Sequence, residues 1–478
     1  MDGSSPRRRD VELGGAPEGL DALVVARALA DGGLGLFVAR DFQRAGAFVQ
    51  AFRFFGQDIE VLEYPAWDCL PYDRLSPSAG VAAQRMATLT RLAERKAGDP
   101  PLLVVATVAG AMQRTPPKDA TRRAGFSARI GLDLDTAALE KYFAANGYVR
   151  ASTVSERGEF AVRGGVIDVF PPGFDEPVRL DLFGSELESI RTFDPETQRS
   201  TGQRKAVDLA PVSEIQLDAE AISRFRTGYL NLFGAGGDDP LYVAVSEGAR
   251  RQGMEQWLPL FYDRLDTLFD YLPDDATVFL DNQVEAARAE RWSLTDDAYD
   301  ARQEAAKARG QGGIVNRALP PDRLYLPEAD WNQALAGREV RRFTPFDSGA
   351  EDAGGRLGRS FAAERAQDSV NLFEAVARHA ETLKDQGRRV LFASWSDGSS
   401  DRLAAMLGDH GLQHVLPVRE WRDVQAAPEG VYLRGVLPVE HGFTTDAVAV
   451  ISETDILGDR LARPKRKRRA SNFLAEAS

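Results

Sequence analysis

Three short runs constrain the fold more than anything else in the chain: Leu34–Ala39 (LGLFVA), Leu102–Ala106 (LLVVA) and Ala276–Asp281 (ATVFLD). Each is apolar at nearly every position, so a strand built from it has no face to offer water. Such strands belong in a parallel sheet covered by helices on both sides. The neighbouring sequence supplies the covers. Leu20–Ala30 reads as a helix, and Asp41 caps a second one in which Ala45, Phe48, Val49, Phe52 and Phe55 follow helical spacing. Asp58–Glu63 predicts a further strand, followed by a loop rich in proline and aromatics, and Val81–Arg95 a third helix. Strand alternating with helix predicts an α/β fold. Pro116-Pro117 ends this unit, and the α/β character returns from about residue 208, with a long polar helix from Asn282 to Gln311 and a break at Gly310–Gly313.

Between the two halves the pattern changes. After a helix from Asp135 to Asn146, Glu156–Ser200 alternates with period two and carries turn signals at Arg-Gly-Gly, Pro-Pro-Gly and Gly-Ser, which predicts a meander of three strands. In Val178–Phe183 the alternation puts Val178, Leu180 and Leu182 on one face and Arg179, Asp181 and Phe183 on the other. In Glu159–Arg163 it sends Phe160 and Val162 inward and Arg163 outward with Glu159. Arginine and an aromatic on one outward sheet face is the composition of a protein-binding hot spot. The same pattern also suits a structural cation on a solvated face, with Phe183 covered by a neighbouring helix.

A net charge of −13 argues against broad electrostatic binding to DNA. The lone Cys69 excludes an internal disulfide and fits a reducing cytosol, so the expected compartment is cytoplasmic. MDGSSPRRRDVELGG has no apolar run behind its arginines and is no signal peptide, and no run approaches the ~20 apolar residues of a membrane span. The four histidines, His379, His410, His414 and His441, all lie late in the chain, so nothing before them can build a histidine-based triad or a Cys/His zinc site. His410 and His414 read as polar residues at a helix end.

Chemistry-bearing motifs are missing. No lysine sits in Gly-Lys-Ser/Thr, which argues against a phosphate loop. Asp281 ends an apolar strand as a magnesium-binding aspartate would, but Asn282 follows it rather than a second acid. SWSDGSS (Ser394–Ser400) lacks the Gly-x-Ser-x-Gly pattern of a nucleophile elbow and reads as a turn with a helix N-cap. The basic run Arg463–Arg469 reads as a solvated linker.

Four blocks occur in the order found in one family: EYPAWDCLPYDRLSPSAGVAAQRMATLTRL, the meander from GEFAVRGG to DPETQRS, GMEQWLPLFYDRLDTLFDYLP, and ISETDILGDRLARP. Over roughly residues 20–470 the chain resembles the N-terminal part of the bacterial transcription-repair coupling factors. The resemblance implies a degenerate P-loop, helicase-like (UvrB-like) parallel α/β domain interrupted by an α+β insert that binds UvrA, followed by a smaller α/β domain. The implied order is a disordered tail over 1–19, the UvrB-like domain over 20–117 and 208–345, the insert over 118–207, the small linker domain over 346–460, and a basic linker over 461–478. By motif, the family's UvrA-contacting positions fall on Arg163 in AVRGG and on Arg179 and Phe183 in VRLDLF, the residues that alternation turns outward. No cofactor is expected in this chain. ATP and magnesium, and contacts to RNA polymerase and duplex DNA, are expected only of the family's C-terminal translocase part, and no membrane contact is expected. The competing reading is a divergent UvrB-type DNA-repair NTPase or excinuclease subunit. UvrB would carry a Walker A loop and an aromatic hairpin after LLVVA, where this chain reads LLVVATVAGAMQRTPP.

Overall fold

A computed structural model describes residues 10–458 except 235, 238, 309–316, 348–350 and 368. The expected break at Gly310–Gly313 and the basic run Arg463–Arg469 lie outside the described residues.

The chain opens with β1 (Asp10–Gly14), β2 (Leu34–Ala39), β3 (Glu60–Tyr64) and β4 (Leu102–Thr107). It then leaves this sheet to build the insert. The insert comprises β5 (Phe126–Arg129), β6 (Val149–Arg150), β7 (Glu159–Arg163), β8 (Val166–Val169), β9 (Val178–Phe183), β10 (Glu186–Phe193), β11 (Ser200–Arg204) and β12 (Ala206–Leu209). Returning, it adds β13 (Thr277–Leu280), β14 (Glu339–Phe343) and β15 (Glu351–Asp352) to the first sheet. That sheet is seven-stranded, in the order β15-β1-β14-β13-β2-β4-β3, and every pairing in it is parallel. Every residue of β2 and β4 is buried, as runs without a polar face demand.

Two expectations about the ends of this sheet need correction. Residues 1–19 were expected to be a disordered tail, yet Asp10–Gly14 pairs with β14 and β15 and buries Leu13. The partners lie more than three hundred residues away in sequence, so no local pattern announces the strand. The glycine-rich stretch after residue 345 is likewise shared out: Glu351–Asp352 joins the first sheet, while β16 (Arg356–Leu357) joins the last.

The insert has its own core. Its six-stranded sheet runs β11-β10-β9-β8-β7-β6, antiparallel except for β6 with β7, beside a separate β5–β12 pair. Helix Thr136–Ala145, capped by Asp135, lays Leu139 and Phe143 on Phe160, Ile167, Leu180 and Ile190. The expected three-strand meander is thus an underestimate. β10 was missed because a bulge between Leu187 and Ser189 puts its buried Leu187 and Ile190 three apart, which breaks the period of two. At the junction with the first sheet, buried Arg85 donates to Glu214 and sits 4.2 Å from the ring centroid of Tyr64. Beyond it come helix Ala219–Phe233 and two short 3₁₀ turns, Met254–Leu260 and Leu268–Tyr271. Phe225, Tyr229, Trp257 and Phe261 form an aromatic cluster there.

The last unit adds β17 (Arg389–Ser394), β18 (Val415–Val418), β19 (Tyr432–Val436), β20 (Phe443–Thr444) and β21 (Val448–Ser452), in the order β16-β20-β21-β17-β19-β18. β17 is parallel to both β19 and β21. Helices Leu20–Leu29 and Phe42–Phe55 lie between this sheet and the first, so that Val25, Phe48, Phe52 and Phe55 share one apolar cluster with Leu391, Leu433 and Val450. No helix among the described residues is long and apolar enough to cross a membrane.

Candidate partner-binding face

The face of the insert sheet turned away from helix Thr136–Ala145 gathers Arg163, Arg179 and Phe183. Register places them. Arg163 stands beside Val166, Val166 beside Asp181, and Asp181 beside Ser189. In the next row Ala161, Asp168, Arg179 and Arg191 stand side by side across four strands. Phe183 closes the hairpin, opposite Glu186.

Phe183 is 79% exposed, the highest value of any large hydrophobic side chain among the described residues. The helix cover that a structural reading needs is on the other face. Burying such a ring against a partner contributes about 1.5–3 kcal/mol from area alone. Arg163 is exposed, with Nη2 donating to the Ser152 carbonyl at 2.6 Å.

Arg179 is held differently. Its Nε and Nη2 donate to the two oxygens of buried Asp168 at 2.7 and 2.9 Å, and its guanidinium lies 4.7 Å from the centroid of Phe193. Hydrogen bonding to Asp168 raises its pKa further above the ordinary arginine value, so the charge is permanent. Phe193 in turn packs with Val154, Ala161 and Phe170 in a small cluster on this side of the sheet. Beside it, Arg191 donates from Nε and Nη2 to both oxygens of Asp181, each at 3.0 Å, and the Ser189 hydroxyl donates to Asp181 at 2.5 Å. Asp168, Arg191 and Phe193 escaped the sequence reading, and Asp181, which alternation turns outward, was given no partner there. Alternation within one strand reveals which way a side chain points, but pairing across strands requires the register.

The other residues singled out from the sequence sit elsewhere. Asp281 lies at the carboxyl end of β13, where open α/β sheets usually hold ligands. Its buried carboxylate instead accepts from Arg44 Nε and Arg40 Nη1, both at 3.1 Å. Burial pushes its pKa up while the two guanidiniums pull it down. Arg44 also pairs with buried Asp21. Ser396 caps helix Asp397–Asp409 in a capping box with Ser399. His410 ends that helix, stacked 5.4 Å from Phe373. Among the described residues no group of three or more histidine, cysteine or acidic side chains could hold a metal ion.

Comparison with known proteins gives this geometry its context. The UvrB interaction domain family matches residues 126–215, the segment that builds the insert. Transcription-repair-coupling factors align along most of the chain: that of Escherichia coli K12 is 30% identical over 420 residues, covering 86% of this chain and 35% of the relative. That of Haemophilus influenzae is 28% identical over 86% of this chain and 35% of its own, and that of Rickettsia conorii 26% identical over 88% and 36%. The chain therefore spans about a third of the length of these curated relatives. A parallel α/β body, an insert matched as a UvrB interaction domain and similarity along almost nine-tenths of the chain make it similar to a part, about a third in length, of the transcription-repair-coupling factors.

Proposed function

We propose that this chain is a non-catalytic docking module that binds UvrA through Arg163, Arg179 and Phe183, and so recruits excision repair to lesions where RNA polymerase has stalled. The exposed Phe183 beside fixed guanidiniums carries the reading: an exposed ring at the end of a rigid sheet is an anchor waiting for a socket. The match to a UvrB interaction domain and the name shared by the relatives support it. In this reading the chain needs no cofactor of its own. ATP and magnesium, and the contacts to RNA polymerase and duplex DNA, belong to the remainder of a longer protein that acts as an ATP-driven translocase. Asp281, already engaged by Arg44 and Arg40, is poorly suited to hold a metal–nucleotide complex.

Calorimetric titration of UvrA into the chain tests this. Binding should be measurable, and Phe183→Ala or Arg179→Ala should each cost about 2 kcal/mol or more. Tight binding indifferent to both changes would move the site elsewhere, and no binding by a folded chain would remove the function. A second titration, with labelled ATP, should give no heat and no retention. Saturable ATP binding would instead favour a divergent NTPase.

A further inference from the structure

The ion pairs on the insert face leave one kind of bond unmade. Both oxygens of Asp168 are taken by Arg179, and both oxygens of Asp181 by Arg191, with Ser189 donating as well. The carboxylates are thus engaged inside the sheet, Asp168 buried and Asp181 held by both Arg191 and Ser189. The guanidiniums are only partly engaged. Among the described residues Nη1 of Arg179, Nη1 of Arg191, and Nε and Nη1 of Arg163 have no acceptor. These rows of the face therefore offer donors and permanent positive charge. The acidic side chains Glu186 and Glu188 lie toward the hairpin end. Arg191 stands directly opposite Arg179 and is the more open of the two, its side chain 37% exposed against 19%.

We propose that Arg191, clamped by Asp181, is a fourth contact residue of the docking face, and that the partner's opposing surface carries carboxylates around an apolar socket. The carboxylates accept from Arg163, Arg179 and Arg191, and the socket takes Phe183. The clamp serves the contact in a specific way. A free arginine loses rotamer freedom when it binds, whereas one already held by a fork of two hydrogen bonds has little left to lose. Two like charges facing each other across a strand pair repel, and each is offset here by an acid on a neighbouring strand. The sheet thus keeps two guanidiniums side by side and aimed outward. This inference rests on the docking reading above.

The experiment uses the whole chain with UvrA as the probe, and compares Arg191→Gln, the double variant Asp181→Asn/Arg191→Gln, and Phe183→Ala. Arg191→Gln should weaken binding about tenfold. The double variant, which leaves no unpaired acid, should melt at the temperature of the unaltered chain and stay equally weakened. Rising salt should loosen the unaltered complex, and Arg191→Gln should flatten that dependence. Recovery of affinity in the double variant would show that Arg191 merely neutralises Asp181, which overturns the inference. Unchanged binding by Arg191→Gln alongside weakened binding by Phe183→Ala would also overturn it while leaving the docking reading intact. A folded chain that does not bind UvrA at all would remove the docking reading, and this inference with it.

Discussion

Two arginine–carboxylate networks in this chain use the same chemistry for opposite ends. At the carboxyl edge of the first sheet, Arg44 is buried between Asp21 and Asp281. On the insert, Arg179 grips Asp168 but keeps one edge of its guanidinium toward solvent, with Phe183 exposed four residues on. The first network closes the place where an open α/β sheet usually takes a ligand. The second builds a plane that presents donors and a ring. Composition does not distinguish them, since both are arginines forked on aspartates. What differs is which valences the fold has left open.

The largest expected effect separates the two directly. Arg44→Ala leaves buried Asp21 without its cation and Asp281 with Arg40 alone, and should cost about 3–5 kcal/mol of stability. Thermal melting of the chain reads that loss, while the portion that stays folded should bind UvrA normally. Phe183→Ala is the mirror image: binding should fall by about 2 kcal/mol while stability moves by no more than about 0.5 kcal/mol. A large stability loss there would mean that the ring is part of the fold after all. Arg179→Ala falls between them. It should weaken binding and also cost about 1–3 kcal/mol of stability, because buried Asp168 loses its donors. An effect on binding alone would show that water replaces the guanidinium at Asp168.

The smallest effect concerns an exposed pair that belongs to neither network. Hydrogen bonds from Arg356 and from the Gly354 backbone hold the Asp352 carboxyl at a pKa of about 2. A depressed folded pKa means that the stability it lends is complete above the ordinary carboxylate range and is lost as pH falls through about 2. An NMR titration should find Asp352 ionised at a pH where other exposed aspartates are half protonated. Titration with the bulk of the aspartates would show that the pair does not persist in solution.

How much of this was legible in the sequence follows from what each element depends on. LGLFVA and LLVVA declare themselves as parallel strands because burial on both faces leaves a continuous apolar run. Alternation turns Arg163, Arg179 and Phe183 outward, the family resemblance singles them out among the outward residues, and the fold puts them on one face. What alternation cannot supply is pairing. Asp168 lies in an unremarkable GVIDVF, and only the register of β8 against β9 reveals it as the seat of Arg179. β1 fails for the same reason at greater range, and β10 because its bulge hides the period. Asp281 shows the converse. Its strand-end position is that of a magnesium-binding aspartate, Asn282 after it argues against that chemistry, and the arginines that engage it come from another part of the chain.

The two helices between the first and last sheets carry a mechanical consequence. Phe48, Phe52 and Phe55 on one of them help fill the interior of both sheets at once, and Trp421 from the C-terminal unit meets Phe55 edge-on at 5.3 Å. A wall shared in this way cannot act as a hinge. A pull on the C-terminal unit passes into the first sheet as strain instead of being absorbed by rotation, much as load crosses a common beam between two rooms. The insert packs around a cluster of its own, and meets the first unit through Ala83 and the buried Arg85–Glu214 pair.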